Sequence, residues 1–225
     1  MSTSAPWSAK GNWLIDEQLV PEWLAPAARF AAQADVASIT RFAPPENSGK
    51  HSAVLIALRN AKSGPEVVLV ERATGGGPHS GQPAFPGGVV EEHDADAVAA
   101  ALRETWEEAG ITREELLPVA RLPELWIPVS DYVVTPVVAW WQGRTTANVA
   151  DPREIAAVHS VSIAELVLAE NRCRVQHPSG YVGPAFDVRG MLVWGFTAGI
   201  LDALIRGAGW ARAWDEQAPP RALVG

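Results

Sequence analysis

The segment that decides the fold is residues 85–111, which read FPGGVVEEHDADAVAAALRETWEEAGI. Its later part has apolar residues at the spacing of an amphipathic helix. Asp94 or Asp96 can cap the start of this helix, and Gly110 suits the left-handed position just past its end. The pattern therefore predicts a well-defined helix that ends at Gly110.

Three acidic side chains lie close together on this helix. A helical wheel places Glu104, Glu107 and Glu108 opposite the apolar side, which consists of Val98, Leu102, Thr105, Trp106 and Ala109. Carboxylates in the last turns face the negative end of the helix dipole and repel one another, and Arg103 is the only nearby cation on the wheel. A solvated charged face is the alternative interpretation. Because a divalent cation such as Mg²⁺ prefers carboxylate oxygens, we predict a metal site here instead.

Two glycines precede the helix. Gly87 and Gly88 permit close approach of the backbone, so a main-chain carbonyl at Gly88 can complete the shell of a metal ion; an ordinary turn is the alternative. The earlier run Gly75–Gly77 lacks the lysine and the following serine or threonine of a P-loop, and we interpret it as a flexible loop.

Composition limits the class of protein. The chain has 225 residues, 48% of them hydrophobic, which excludes a disordered chain. The formal net charge of -8 argues against nucleic-acid binding, although metal ions could supply positive charge for a phosphate-bearing substrate. Cys173 is the only cysteine, so an intrachain disulfide is excluded. No apolar run has the length of a membrane span or signal peptide, and we expect a cytoplasmic protein without membrane partners.

The order of elements predicts an α+β fold. We expect an N-terminal extension over residues 1–50 with a helix at 21–35, a main domain over 51–206, and a tail over 207–225 whose last eleven residues are frayed. Strands are predicted at 52–58, 66–72, 119–129, 132–141 and 153–161, and helical segments near 162–170 and in the later part of 186–205. Strands and helices do not alternate strictly, which favours a mixed sheet.

The stretch RETWEEAGI, residues 103–111, is similar to the second half of the Nudix box, G-x5-E-x7-R-E-U-x-E-E-x-G-U, where U is a bulky aliphatic residue. The residues Arg103, Glu104, Glu107, Glu108, Gly110 and Ile111 match. Thr105 stands at an aliphatic position, and Asp94 stands where the first box glutamate is expected, with one extra residue before Arg103. The resemblance implies the Nudix α/β/α sandwich, with the box as a loop–helix–loop on a mixed sheet.

The stretch VLVERATGGGPHSGQPAFPGG, residues 68–88, resembles the motif that precedes the box in coenzyme A pyrophosphatases. The matching residues are Leu69, Arg72, Gly81, Phe85, Pro86, Gly87 and Gly88, whereas Gly77 replaces a second arginine. The resemblance extends from about Ser52 to Leu204. It implies hydrolysis of the diphosphate bond of coenzyme A or its derivatives, giving 3′,5′-ADP and 4′-phosphopantetheine; a homodimer is compatible with it.

The resemblance also implies roles for individual residues. Glu104, Glu107 and Glu108, with Gly88, are expected to bind Mg²⁺ or Mn²⁺. Arg103 is expected to hold a glutamate by ion pairing, and the base that activates water is either Glu104 or Glu154, for which a surface ion pair is the alternative. Arg72 and Gly87 are expected to contact substrate; a salt bridge is equally compatible with Arg72.

Three further interpretations stay open at this point. His79 and Ser80 could make polar contacts to substrate, and Phe186 could stack on a base, although core packing suits it better. The substrate could instead be ADP-ribose, a dinucleotide polyphosphate or a damaged nucleotide, an alternative that Gly77 supports. A binding domain that has lost catalysis is a third reading, disfavoured because all three helix acids are present.

Overall fold

The computed structural model describes residues 12–40, 42, 44, 49–73 and 81–223. Within these ranges lie a large mixed sheet, a small second sheet and four α-helices. The elements are α1 (Ala25–Gln33), β1 (Lys50–Ala61), β2 (Gly64–Arg72), β3 (Pro83–Ala84), β4 (Gly87–Val89), α2 (Ala97–Ala109), β5 (Leu116–Arg121), β6 (Leu125–Ile127), β7 (Tyr132–Trp141), β8 (Ile155–Ser162), α3 (Ile163–Leu166), β9 (Arg172–Gln176), β10 (Val182–Val188), β11 (Met191–Val193), α4 (Gly195–Gly207) and β12 (Arg221–Ala222).

The large sheet is built around β1. This strand pairs antiparallel with β2 and β4 and parallel with β7, while β8 extends the sheet beyond β2 and β5 beyond β7. The predicted hairpin of residues 52–58 and 66–72 is confirmed, and both strands are longer than predicted. The single predicted strand at 119–129 is wrong in detail, because it divides into β5 and β6 around Pro123, which has no N–H to continue a ladder.

Successive side chains of β1 enter two different cores. Leu55 and Ala57 pack with α2 on one face, whereas Ile56 and Leu58 pack with α1 and α4 on the other. A central strand that is buried on both faces needs apolar residues at every position, which explains the continuous run SAVLIAL. Helices therefore cover both sides of a mixed sheet, and the predicted α/β/α sandwich is confirmed.

Two helices differ from prediction. α1 covers nine residues rather than fifteen and buries Ala27, Ala28 and Ala31, while Ala34 has left the helix. Trp106 of α2 does not share the buried side of that helix, since 56% of it is exposed. No helix in the described ranges is long and apolar enough to cross a membrane.

The C-terminal residues 221–222 are not frayed, contrary to expectation. β12 pairs in parallel with β9 at the edge of the small sheet, and Leu223 packs on its apolar cluster of Cys173, Val175 and Ala185. Burial of apolar surface explains why this end of the chain is held in place. The predicted domain boundaries stay predictions.

Candidate functional site

Helix α2 is fixed at both ends by local chemistry. The side chain of Asp96 accepts a hydrogen bond of 2.8 Å from the backbone N–H of Ala99, so Asp96, not Asp94, is the N-cap. Gly110 ends the helix at φ 66°, a left-handed conformation in which glycine has no steric penalty. The end predicted at Gly110 is confirmed.

Strand β4 crosses close to the last turns of α2, and glycine makes this possible. A Cβ atom on Gly87 would lie 2.3 Å from the backbone oxygen of Ala53, and one on Gly88 would lie 2.3 Å from Oε1 of Glu104. Neither distance is compatible with a side chain at these positions without displacement of a neighbour. Gly87 therefore allows β4 to lie close to β1, and Gly88 allows the Glu104 carboxylate of α2 to lie directly against the main chain of β4.

Glu108 is the most buried acid of the site. Only 2% of the residue is exposed, although the helical wheel placed it opposite the apolar side of α2. Its Oε2 accepts a hydrogen bond of 2.9 Å from the backbone N–H of Gly87, and its Oε1 lies 3.3 Å from Nη2 of Arg72. Desolvation by burial raises the pKa of Glu108 to about 7, and the attraction of Arg72 and the Gly87 hydrogen bond only partly oppose this effect.

Arg103 links several acceptors. Its guanidinium makes a bidentate pair with Asp94, with distances of 3.1 and 2.9 Å, and donates to Glu104 at 2.9 Å and Glu107 at 3.1 Å. It also donates to the backbone oxygen of Val89 at 3.0 Å. Arg103 therefore ties the loop after β4 to the helix and orients two of the predicted site acids.

The acids around Arg103 have different electrostatic environments. The hydrogen bond from Arg103 lowers the pKa of the Asp94 carboxyl. Desolvation raises the pKa of Glu104, even though the hydrogen bond and charge of Arg103 oppose it. The sequence analysis considered Asp94 only as a possible helix cap and did not predict its ion pair with Arg103. Its position in the box was the available signal, because an acid at the start of the motif can pair with the arginine at its centre.

Glu154 lies near the same site. The backbone oxygen of Glu154 accepts a hydrogen bond from Ala73, the residue after Arg72, and its negative charge contributes to the raised pKa of Glu108. Its carboxylate is exposed and makes no hydrogen bond or salt bridge with other described residues, so the surface ion pair considered as its alternative is not formed there.

The oxygen-rich chemistry of the site fits Mg²⁺ or Mn²⁺. Glu104 and Glu108 are poorly solvated carboxylates beside a glycine backbone, and Oε2 of Glu104 has no hydrogen-bond partner among the described residues. Hard divalent cations take such oxygens together with water. In the described part of the chain, however, no three acidic, histidine or cysteine side chains converge as a ready-made metal site, because Arg103 holds Glu107 and Glu104 while Arg72 holds Glu108.

Other predicted residues do not contribute to the described site. Gly75–Gly77, His79 and Ser80 lie outside the described residues. Phe186 is fully buried in the main core, where the guanidinium of Arg172 lies 4.3 Å from its ring centroid, so it is not placed to stack on a substrate base.

Comparisons of the sequence with known proteins identify the family of this chain. The model of the NUDIX domain family matches residues 49–178. An uncharacterised Nudix hydrolase named NudL from Enterobacter sp. (strain 638) is 36% identical over 162 residues, which cover 69% of this chain and 81% of that protein. NudL of Citrobacter koseri is 35% identical over 166 residues, with the same coverage of 69% and 81%.

Among solved structures, the Nudix hydrolase RenU from M. smegmatis is similar in fold. It has a TM-score of 0.51 and 18% identity, and the match covers 73% of this chain and 89% of RenU. This chain belongs to the Nudix family and is a hydrolase of a pyrophosphate-containing substrate, because it matches the family model and is more than 30% identical to NudL proteins. Its α/β/α sandwich agrees with this assignment.

Proposed function

We propose that this protein hydrolyses the diphosphate bond of coenzyme A or its derivatives in a metal-dependent reaction. The observation that carries the proposal is the stretch of residues 68–88, which resembles the motif of coenzyme A pyrophosphatases and runs directly into the acidic site. Arg72 and Gly87 of this stretch contact Glu108, so the motif and the box belong to one chemical site.

The residues of the site have different roles in the proposed reaction. Glu104, Glu108 and the backbone of Gly88 would hold Mg²⁺ or Mn²⁺, with Glu107 as an outer ligand, directly or through water. When bound, the cation neutralises the diphosphate and increases the acidity of a water molecule. Arg103 keeps Glu104 and Glu107 in place through hydrogen bonds of 2.9 and 3.1 Å.

Two carboxylates are candidates for the base that takes a proton from the attacking water. Glu104 is held by Arg103 and poorly solvated, which suits a metal ligand as well as a base. Glu154 is exposed, makes no salt bridge with described residues and adds negative charge close to Glu108, which suits a base at the edge of the site. A Glu154→Gln variant that keeps Mn²⁺ binding but loses turnover and the acidic limb of its pH profile would assign the base to Glu154.

The test is a panel of coenzyme A, acyl-coenzyme A, ADP-ribose and dinucleotide polyphosphates, each with and without Mg²⁺ or Mn²⁺. We expect release of 3′,5′-ADP from coenzyme A in the presence of metal. A higher kcat/KM for ADP-ribose or a dinucleotide would refute coenzyme A as the substrate and leave the metal site unaffected. Binding of a nucleotide without any turnover, with metal present, would favour the non-catalytic reading.

A further inference from the structure

Arg72 occupies an unusual position at the edge of the site. It is the last residue of β2, and the pairing of β2 with β8 shifts register between Glu71 and Arg72. Irregularities of this kind change the direction of a side chain relative to a regular strand. The guanidinium Nη2 of Arg72 lies 3.3 Å from both Oε1 of Glu108 and the backbone oxygen of Gly87.

Arg72 is the only cation that pairs with Glu108 among the described residues. The Glu108 side chain is 3% exposed and the Arg72 side chain is 39% exposed. A buried carboxylate without a counter-charge is strongly destabilising, so Arg72 stabilises Glu108 as long as no other cation does. Both oxygens of Glu108 are already engaged, one by Arg72 and the other by the Gly87 N–H.

A divalent cation and Arg72 would compete for the same carboxylate oxygen. Two positive charges on one oxygen repel each other strongly in a poorly solvated site. The half-exposed guanidinium of Arg72 can reach solvent, whereas Glu108 is fixed within α2. The arginine is therefore the partner that moves.

We propose that Arg72 is an exchangeable counter-ion: it neutralises Glu108 in the metal-free protein and transfers to a substrate phosphate oxygen when a divalent cation takes its place. This inference rests on the proposed metal and diphosphate chemistry but not on the identity of the substrate. Because coupling between two ligands is reciprocal, phosphate should bind more tightly when metal is present, and metal more tightly when phosphate is present.

The test measures Mn²⁺ binding to the full chain by titration, with electron paramagnetic resonance of free Mn²⁺ as the readout and no substrate present. Arg72→Gln removes the competing charge, so we expect Mn²⁺ to bind at least about fivefold more tightly than to the wild type. The metal-free variant should also melt at a lower temperature. Inorganic phosphate should tighten Mn²⁺ binding more in the wild type than in Arg72→Gln, because only the wild type has an arginine to transfer to the phosphate.

Two further variants separate this inference from general charge effects. Arg121→Gln removes the same charge from an exposed residue of β5 and should leave Mn²⁺ affinity at the wild-type value. Arg72→Lys keeps a cation and should stay close to the wild type. Unchanged or weaker Mn²⁺ binding by Arg72→Gln would overturn the inference, as would a phosphate effect that is as large in that variant as in the wild type. Neither result depends on which substrate the hydrolysis panel identifies.

Discussion

Replacement of Glu108 by glutamine should stabilise the metal-free protein at alkaline pH. Burial raises the pKa of Glu108 from its ordinary value of 4.5 to about 7. Since one pKa unit corresponds to about 1.4 kcal/mol, the ionised carboxylate is about 3 kcal/mol less favourable in the folded than in the unfolded chain. This value already includes the attraction of Arg72. Glutamine keeps an oxygen that can accept the Gly87 N–H and removes the buried charge.

The sign of the pH dependence follows from proton binding. Between about pH 4.5 and 7 the folded protein holds a proton on Glu108 that the unfolded chain has lost. The contribution of Glu108 to the free energy of unfolding therefore falls as pH rises through this window and reaches its full cost above pH 7. The free energy of unfolding of Glu108→Gln should exceed that of the wild type by about 2–3 kcal/mol at pH 8 and by less than about 1 kcal/mol at pH 5.

The assay is urea unfolding in EDTA at both pH values. Glu107→Gln is the matched control: it removes the same charge from the adjacent residue, whose side chain is 45% exposed, and should change stability by less than about 0.5 kcal/mol. With Mn²⁺ and substrate, Glu108→Gln should lose most turnover while remaining folded. A variant that is less stable than the wild type at pH 8, or whose difference from it does not change with pH, would refute the reasoning.

Three other substitutions test the remaining parts of the site. Gly88→Ala places a Cβ 2.3 Å from a Glu104 oxygen, so kcat should fall by about tenfold to 100-fold with little change in melting temperature, as steady-state kinetics and circular dichroism would measure. Arg103→Lys loses the bidentate contact with Asp94, and urea unfolding should show a loss of about 1–3 kcal/mol together with lower turnover. Thr105→Val removes a hydroxyl that donates to a helix carbonyl already able to bond within the helix; both stability and kcat should stay close to wild type, and a loss above about 1 kcal/mol would contradict this.

Local sequence patterns were sufficient to predict the helix and the strands that carry the site. The end of α2 at Gly110 follows from glycine's access to positive φ, and β7 matches the predicted strand at 132–141 because its apolar run is continuous. The hairpin of β1 and β2 follows from two valine- and isoleucine-rich runs separated by a turn. These features depend on residues close together in the chain.

Features that depend on distant segments were not predictable in this way. A helical wheel cannot show that β4 crosses α2 beside Glu108, so it did not separate this buried acid from the exposed Glu107. It also assigned Trp106 to the buried side, although the neighbouring strands leave that position half uncovered. The pairing of β12 with β9 joins segments about 45 residues apart through only two residues, too short a run to have a recognisable pattern.

The pKa shifts separate a structural ion-pair network from a site that lacks positive charge. A network that only stabilises the fold should lower the pKa of each carboxylate it contains, as Arg103 does for Asp94. Glu104 and Glu108 each contact an arginine, yet burial still raises the pKa of both. Among the carboxylates of the described residues, the shortage of positive charge is therefore found at the two acids that lie one helical turn apart beside Gly87 and Gly88. Additional positive charge would stabilise the folded chain most at this point, and a diphosphate that is to be attacked by water needs positive charge for the same electrostatic reason.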